Sequence, residues 1–325
     1  MKSIFHSERN KGGVITNIFA HIEKSKAFTN NRELSKEELI QLNKITMEKK
    51  SKQFKKPNGN LSIYILGAVI GDVAGSIYEF SGMKSKDFQF WGEHHRITDD
   101  SVLSCIIYKV LFDYKRGLIS KENLNSELIK MVKKKARKYP DAGYGGGFYH
   151  WLYSDSDEPY NSYGNGSAMR CSAAGILADS EEEAIWLAEE TARITHNHPE
   201  GIKGAVATAL AIYLALHGAS KAEIRDKCSE YYELSTDVDT LRENYMLNCI
   251  CQATVPEAII CFLDSIDFED AIRNAVSLGG DADTLGAIAG SIAGAYYGIP
   301  LDMQKKAIDK LDTNLCQMLG LKKKE

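Results

Sequence analysis

Apolar residues recur with helical spacing throughout the chain after residue 60, and the alternation typical of strands is almost absent there. This pattern predicts an all-α domain. Pro199 and Pro256 suit the first turn of a helix, and Asp267 can cap a helix that runs toward Ser277. Helices are predicted, to within a few residues at each end, at about residues 61–80, 100–114, 120–138, 167–178, 181–195, 199–217, 221–233, 242–252, 256–264, 267–278, 284–298 and 301–318.

Two of these predicted helices carry glycine at every fourth position. Glycine destabilises a helix interior by about 1 kcal/mol at each position, but a face without side chains allows another helix backbone to approach closely. We therefore predict that both helices are central and buried, rather than weakened into loops. The glycines are Gly67, Gly71 and Gly75 in the first helix and Gly286, Gly290, Gly294 and Gly298 in the second.

Residues 1–60 differ from the rest of the chain in charge. They hold 13 Lys and Arg against 6 Asp and Glu, so their formal charge is +7 and that of the remaining residues is −11. Ser35 and Glu38 form a capping box, which predicts one amphipathic helix to about Lys50 before a linker that ends near residue 60. We interpret residues 1–60 as a basic N-terminal extension, either a docked appendage, a lid or a partner-binding arm, and residues 61–325 as a separate domain.

The composition is that of a globular protein, with 44% hydrophobic and 26% charged residues. A formal net charge of −4 gives no reason to expect a nucleic-acid partner. Seven cysteines without a Cys-x-x-Cys pair predict reduced thiols. The N-terminus lacks the apolar run of a signal peptide, and the apolar stretch at residues 63–77 is interrupted by Asp72 and too short to span a bilayer. We therefore expect a cytoplasmic protein without a membrane partner.

Two short acidic clusters stand at the starts of predicted helices, Thr98-Asp99-Asp100 and Asp281-Ala282-Asp283-Thr284. Together they offer four carboxylates and two hydroxyls, a ligand set that suits Mg²⁺, Mn²⁺ or Ca²⁺ rather than zinc. Asp and Thr are also ordinary N-cap residues, so either cluster alone has a structural interpretation. An EF-hand is excluded because it needs oxygen ligands where the chain has Leu285 and Ile292.

Two glycine-bearing loops lie between the acidic clusters, at residues 143–148 and 163–170. Their backbone N–H groups could bind phosphate oxygens, although neither loop fits a P-loop or Rossmann motif and each is also typical of a plain turn. His196 and His198 form a His-x-His pair without the two further ligands that zinc needs, which favours capping or substrate contact. Glu79 ends a very apolar helix, where an isolated carboxylate is usually only solvated.

In this order, these segments resemble the ADP-ribosylglycohydrolase family, the all-helical enzymes that remove ADP-ribose from modified proteins. The resemblance covers about residues 61–300 and implies a compact orthogonal multi-helix bundle with a central binuclear metal cleft, formed by a catalytic domain at residues 61–325. Ser101 stands where the family often has threonine. The matching segments are residues 67–80, which include Gly67, Gly71, Asp72, Gly75 and Glu79, and residues 97–101, 143–145, 164–170, 195–199 and 279–284.

The resemblance also implies roles for individual residues. Glu79, Asp100 and Asp283 would be catalytic, and two Mg²⁺ or Mn²⁺ ions would be the cofactors. The implied metal ligands are Thr98, Asp99, Asp100, Asp281, Asp283 and Thr284. The implied substrate-binding residues are Gly143, Tyr144, Gly145, Gly164, Asn165, Gly166, Ser167, Met169 and His196.

The implied function is metal-dependent removal of mono-ADP-ribose from protein side chains, by hydrolysis of an N- or O-glycosidic bond at the distal ribose. In our hypothesis Glu79 positions or deprotonates a water, while the metals hold the ribose hydroxyls. Arginine is the preferred linkage, and serine-linked or free ADP-ribose derivatives are compatible with the same residues. Two different classes of protein also fit these residues. One is a catalytically silent ADP-ribose-binding or structural member of the family, and the second is an unrelated two-metal phosphohydrolase.

The expected partner is an ADP-ribosylated protein. Residues 1–60 could cover the acidic mouth of the active site, or bind an ADP-ribosyltransferase toxin that the enzyme counteracts. A passive stabilising appendage is the competing interpretation of this segment.

Overall fold

A computed structural model describes residues 60–323 of the chain. Within this range the chain is helical, and extended segments pair only at an isolated bridge between Gly164 and Ile250. The all-α prediction is confirmed there, whereas the helix predicted from Ser35 and most of the linker lie outside the described residues. The α-helices are α1 (Leu66–Gly75), α2 (Asp99–Lys115), α3 (Leu124–Ala136), α4 (Gly146–Tyr153), α5 (Gly166–Met169), α6 (Ser172–Leu177), α7 (Glu181–Arg193), α8 (Pro199–Leu216), α9 (Lys221–Cys228), α10 (Val238–Asn244), α11 (Val255–Leu263), α12 (Phe268–Val276), α13 (Ala282–Tyr297), α14 (Leu301–Lys310) and α15 (Thr313–Met318), and 3₁₀ helices cover Leu61–Ile65, Lys121–Asn123 and Cys251–Ala253.

The two glycine-bearing helices, α1 and α13, pack directly against each other. A Cβ atom placed on Gly71 would lie 1.9 Å from the carbonyl oxygen of Gly286, and one on Gly67 would lie 2.4 Å from that of Gly290. Every residue of α1 is buried. The prediction that both helices are central and buried is therefore confirmed. Gly298 lies beyond this contact and ends α13 with a φ of +77°, a backbone conformation that favours glycine.

The other helices complete the core around α13. It packs against α8, α11 and α12 as well as α1, while α2 packs against α3, α6 and α15. α8 has the length and apolar composition of a membrane span, but most of its residues are buried against other helices, as is typical of a core helix. All seven cysteines are free and six of them are buried, as the sequence predicts.

Several predicted helix boundaries are wrong, and at two of them an aspartate cap begins a new helix. The helix predicted over residues 167–178 is two helices, α5 and α6, which are separated at Arg170 and Cys171. The helix predicted over residues 301–318 is divided because the Asp312 carboxylate caps α15 by accepting from the Leu315 N–H at 2.8 Å. In place of the helix predicted over residues 242–252, the structure has α10, which begins at Val238 and ends at Asn244. The Asp237 carboxylate caps α10 by accepting from the Thr240 N–H.

Two further differences concern segments that reach the site described below. Residues 146–153 form α4 although their glycines suggest a loop, because Phe148, Trp151 and Leu152 bury one face of the helix. The apolar pattern predicts that the first helix reaches residue 80, but α1 ends at Gly75. Glu79 consequently lies in the turns that follow α1.

We expect Gly71→Ala to lower the free energy of unfolding by about 3 kcal/mol or more, because backbone atoms of α13 occupy the space that the new methyl group needs. Gly294→Ala is the matched control in α13. Its Cβ would meet the flexible end of Ile299 at 3.1 Å, and alanine favours a helix by about 1 kcal/mol. Denaturant unfolding followed by circular dichroism compares the two variants. Equal stability would contradict a tight backbone contact.

Candidate active site

The two acidic clusters meet at one end of the α1–α13 pair. Asp99 and Asp100 lie in the first turn of α2, and Asp283 lies in the first turn of α13. The Thr284 hydroxyl donates to Asp100 Oδ2 at 3.3 Å, across 184 positions of sequence. The fold therefore brings into contact two clusters that lie far apart along the chain.

The carboxylates form two adjoining groups. Oxygen atoms of Asp72, Asp100 and Asp283 lie within 4.8 Å of one another, and the same holds for Glu79, Asp281 and Asp283. Asp283 belongs to both groups. The spacing of the carboxylate oxygens in each group is compatible with a bound metal ion.

Asp72 connects α1 to the start of α2, a role that is not among those predicted from the sequence. Its carboxylate accepts from the N–H and hydroxyl of Thr98, at 2.9 and 2.8 Å, and from the N–H of Ser101 at 3.1 Å. The Ser101 hydroxyl also donates to it. Since Thr98 makes no side-chain cap of its own, Asp72 satisfies the N–H groups at the start of α2 from another helix. In the sequence, this role of Asp72 is indicated by the position of a charged residue inside a very apolar stretch.

The carboxylates are held in an environment that disfavours their charge. Burial raises the pKa of Asp99 to about 8, and the neighbouring Asp72 contributes to this rise. Burial and nearby carboxylates also raise the pKa of Asp100 and of Asp283 well above the usual range. Within the described range, no Lys or Arg forms an ion pair with these groups. None of these three carboxylates is therefore paired directly with a cationic side chain of the described residues.

The donor set fits hard divalent cations. The carboxylates and the Thr98 and Thr284 hydroxyls offer only oxygen, which Mg²⁺ and Mn²⁺ prefer. Asp100 Oδ1 is buried and has no hydrogen-bond partner among the described residues. An unpaired carboxylate oxygen beside other carboxylates is costly, and a bound cation would both pair it and reduce the repulsion.

A cavity of about 280 Å³ opens over the acidic groups. Its other walls come from the two glycine-bearing loops and from His196. Asn165 connects the second glycine-bearing loop to the acidic residues, because its Nδ2 donates to Asp281 Oδ2 at 2.7 Å. The predicted site residues that line the cavity are Glu79, Thr98, Asp99, Asp100, Gly143, Gly145, Gly164, Asn165, Gly166, Met169, His196, Asp281, Asp283 and Thr284.

Two predicted substrate-binding residues do not line the cavity. The Ser167 hydroxyl is fully buried and donates to the carbonyl oxygen of Gly201 at 2.6 Å. The Tyr144 hydroxyl donates to the carbonyl oxygen of Ala136 at 3.0 Å. Both side-chain hydroxyls are therefore engaged by backbone carbonyl groups outside the cavity.

Further residues line the cavity without a role predicted from the sequence, among them Arg96, Tyr160, Arg170 and Cys249. Arg170 is the last residue of the second glycine-bearing loop, and this position in the sequence indicates that it can lie near the cavity. Tyr160 and Cys249 lie in irregular segments without a recognisable motif. They reach the cavity only because the fold brings those segments to it.

The family of the chain follows from its match to the model of the ADP-ribosylglycohydrolase family over residues 64–320. The chain belongs to this family of glycohydrolase enzymes. The match spans the helices and loops that carry all of the cavity residues described above.

Individual relatives agree with the family. ADP-ribosylhydrolase ARH3 of Homo sapiens is 26% identical over 317 residues, with 72% of this chain and 84% of that protein covered. The ADP-ribosyl-[dinitrogen reductase] glycohydrolase of Rhodospirillum rubrum is 25% identical over 264 residues, with coverages of 76% and 88%. ADP-ribosylarginine hydrolase Tri1 of Pseudomonas putida is 31% identical over 150 residues, with coverages of 42% and 39%.

The fold also has a counterpart among solved structures. A structure of an ADP-ribosylglycohydrolase-related protein complex superposes with a TM-score of 0.52 at 20% sequence identity. The superposition covers 80% of this chain and 96% of that one. The likeness concerns the arrangement of the helices.

We expect Mg²⁺ or Mn²⁺ to raise the melting temperature of chelator-treated protein by several degrees, since a ligand at 100 times its Kd adds about 2.7 kcal/mol. The rise should be larger at pH 8 than at pH 5. Between pH 5 and pH 8 the native carboxyls of Asp99, Asp100 and Asp283, whose pKa is raised, still hold protons that the unfolded chain has lost. The free energy of unfolding of the metal-free protein therefore falls as the pH rises across this range. The same deprotonation makes the carboxylates available as metal ligands.

The same measurement on variants locates the binding site. Asp100→Asn should abolish the metal-dependent rise and stabilise the metal-free protein, because it removes one carboxylate from a crowded acidic group while its amide oxygen still accepts from the Thr284 hydroxyl. Asp302→Asn, at a carboxylate that is 71% exposed, is the matched control and should keep the full rise. An unchanged rise in Asp100→Asn would place the metal elsewhere.

Proposed function

We propose that this chain is a metal-dependent ADP-ribosylhydrolase that removes mono-ADP-ribose from arginine side chains of proteins. The observation that carries the proposal is one cavity with an oxygen-rich acidic wall and, beside it, loops whose N–H groups suit phosphate. The printed names of the relatives support it, since one is an ADP-ribosylarginine hydrolase and another is an ADP-ribosyl-[dinitrogen reductase] glycohydrolase.

The glycine loops supply groups suited to the diphosphate. α4 begins without a side-chain cap, and the N–H groups of Gly146, Gly147 and Phe148 have no hydrogen-bond partner among the residues the structure describes. These three residues line the cavity at a helix N-terminus, where the helix dipole favours an anion. Phosphate oxygens bound there would direct the distal ribose toward the acidic wall.

Glu79 is the best candidate for the proton-accepting group. It is half-buried, lines the cavity, and has a carboxylate oxygen within 4.8 Å of those of Asp281 and Asp283. Burial and the charge of Asp281 raise the pKa of Glu79, although Arg96 partly offsets this. A carboxylate with a raised pKa accepts a proton more readily near neutral pH.

In the proposed reaction Glu79 accepts a proton from a water that attacks C1 of the distal ribose. The bond from C1 to the guanidinium nitrogen breaks with its electron pair remaining on that nitrogen, which takes up a proton from solvent while Glu79 releases the proton of the water. The products are intact ADP-ribose and unmodified arginine. Asp72 keeps Thr98 in place through the hydrogen bonds described above. Two Mg²⁺ or Mn²⁺ ions would supply Lewis-acid polarisation of the water and the ribose hydroxyls, held by Thr98, Asp99, Asp100, Asp281, Asp283 and Thr284.

We also propose that residues 1–60 either cover the acidic cavity or bind an ADP-ribosyltransferase. Residues 1–59 lie outside the described residues, so the proposal rests on the charge of +7 for residues 1–60 against −11 for the rest of the chain. Deletion of residues 1–60 should raise turnover if the segment is a lid, or weaken transferase binding if it is an arm. No change in either measurement would leave only a passive appendage.

The function is tested by incubating the protein with arginine-linked and serine-linked ADP-ribosylated substrates in parallel, with and without chelator. We expect ADP-ribose release from the arginine-linked substrate, loss in chelator, and recovery with Mg²⁺ or Mn²⁺. Release of AMP or phosphate instead would favour a phosphohydrolase. No release from either substrate, together with ADP-ribose binding, would favour a catalytically silent member.

Variants then assign the roles of the residues. Glu79→Gln should lower kcat by about 10²- to 10⁴-fold, as the loss of a general base does, whereas Glu93→Gln, at an exposed carboxylate in the same segment, should not. Asp283→Ala should abolish activity because Asp283 belongs to both carboxylate groups. Full activity of Asp283→Ala would rule out the proposed scheme.

A further inference from the structure

A chain of hydrogen bonds runs from the buried Arg170 to His196 in the cavity wall. Arg170 Nη2 donates to the Thr191 carbonyl oxygen at 2.9 Å and to Thr195 Oγ1 at 2.7 Å. Thr195 Oγ1 in turn lies 2.7 Å from His196 Nδ1. Arg170 and Thr195 are fully buried, and His196 is 4% exposed.

The direction of this chain fixes where the imidazole carries its proton. A guanidinium only donates, so Thr195 Oγ1 accepts from Arg170. The Thr195 hydroxyl has one proton, and His196 Nδ1 is the acceptor within reach among the described residues. With Nδ1 accepting, the ring proton is on Nε2. The opposite tautomer would leave a buried hydroxyl without an acceptor, which is costly.

The surroundings of His196 also keep the ring neutral. Burial lowers the pKa of His196 well below its usual value, and the nearby charge of Arg170 lowers it further. Arg170 has no carboxylate in ion-pair contact within the described range, and its Nε and Nη1 atoms lack hydrogen-bond partners there. Its positive charge is therefore not cancelled locally and acts on the imidazole.

Two glycines give the Nε2 atom access to the cavity. A Cβ atom on Gly166 would lie 3.2 Å from Nε2, and one on Gly164 would lie 3.6 Å from it. Nε2 has no hydrogen-bond partner among the residues the structure describes, and His196 lines the same cavity as the first turn of α4. One ligand that fills this cavity can therefore contact both His196 and the first turn of α4.

We propose that Arg170 and Thr195 are positioning residues that hold His196 as a neutral Nε2–H donor to a phosphate oxygen of the bound ligand. The identity of that ligand rests on the proposed function, whereas the tautomer does not. An imidazole with its proton on Nε2 cannot accept a proton or bind a metal through the atom that faces the cavity. His196 therefore acts as a binding group, and proton transfer is left to Glu79.

The tautomer is tested first, in protein without ligand. Long-range ¹H–¹⁵N spectra of ¹⁵N-histidine-labelled protein distinguish rings protonated at Nδ1, at Nε2 or at both. His196→Asn identifies the His196 signal among the eight histidines. We expect the Nε2–H form in the unmodified protein and in Thr195→Ser, and its loss in Thr195→Val. An Nδ1–H form or an imidazolium at neutral pH would overturn the proposal, whatever the enzyme's substrate.

Binding of ADP-ribose by titration calorimetry tests the donor role. We expect Thr195→Val and His196→Asn each to weaken binding about tenfold, consistent with the loss of one hydrogen bond to a charged group. Thr195→Ser, which keeps the hydroxyl, should bind ADP-ribose as tightly as the unmodified protein. Thr208→Val is the matched control, because Thr208 is also buried but its hydroxyl has no partner among the described residues.

Kinetics separate positioning from catalysis. The effect of Thr195→Val should fall on KM rather than on kcat, without a change in the pH profile. Unaltered ADP-ribose affinity in Thr195→Val, or a loss confined to kcat, would overturn the proposal. If ADP-ribose does not bind the unmodified protein but the Nε2–H form is present, the proposed function fails while the positioning by Arg170 and Thr195 stands.

Discussion

The backbone contact between α1 and α13 is the constraint on which the rest of the structure depends. Gly71 and Gly286 face each other so closely that neither has room for a Cβ atom. At this distance the start of α13, with Asp283, lies beside the part of α1 that carries Asp72. Asp72 in turn holds the start of α2. The acidic groups are therefore fixed by the closest-packed part of the core.

Folding at this contact concentrates like charges, which opposes stability. Hydrogen bonds compensate some of them, since Asp72 accepts four and Asp281 accepts from Asn165. For Asp100 and Asp283, burial and the neighbouring carboxylates raise the pKa well above the usual range. Buried carboxylates that lack a counter-charge are costly to stability, and a bound cation would reduce that cost.

The cavity is electrostatically two-sided. Its lining includes the carboxylates and also His196 and the first turn of α4, whose N–H groups have no hydrogen-bond partner among the described residues. A ligand with an anionic centre and a ribose at one end matches both kinds of group at once.

The helical spacing, the two glycine stripes and the order of the acidic and glycine-bearing segments are properties of the sequence alone, and they were enough to predict the fold class and most of the cavity residues. Local sequence fixes which side chains are available and which helix faces are apolar. The tertiary structure decided where those side chains point, because each direction depends on partners far along the chain. It made Asp72 a cap for α2, engaged the side chains of Ser167 and Tyr144 outside the cavity, and connected Arg170 through Thr195 to His196.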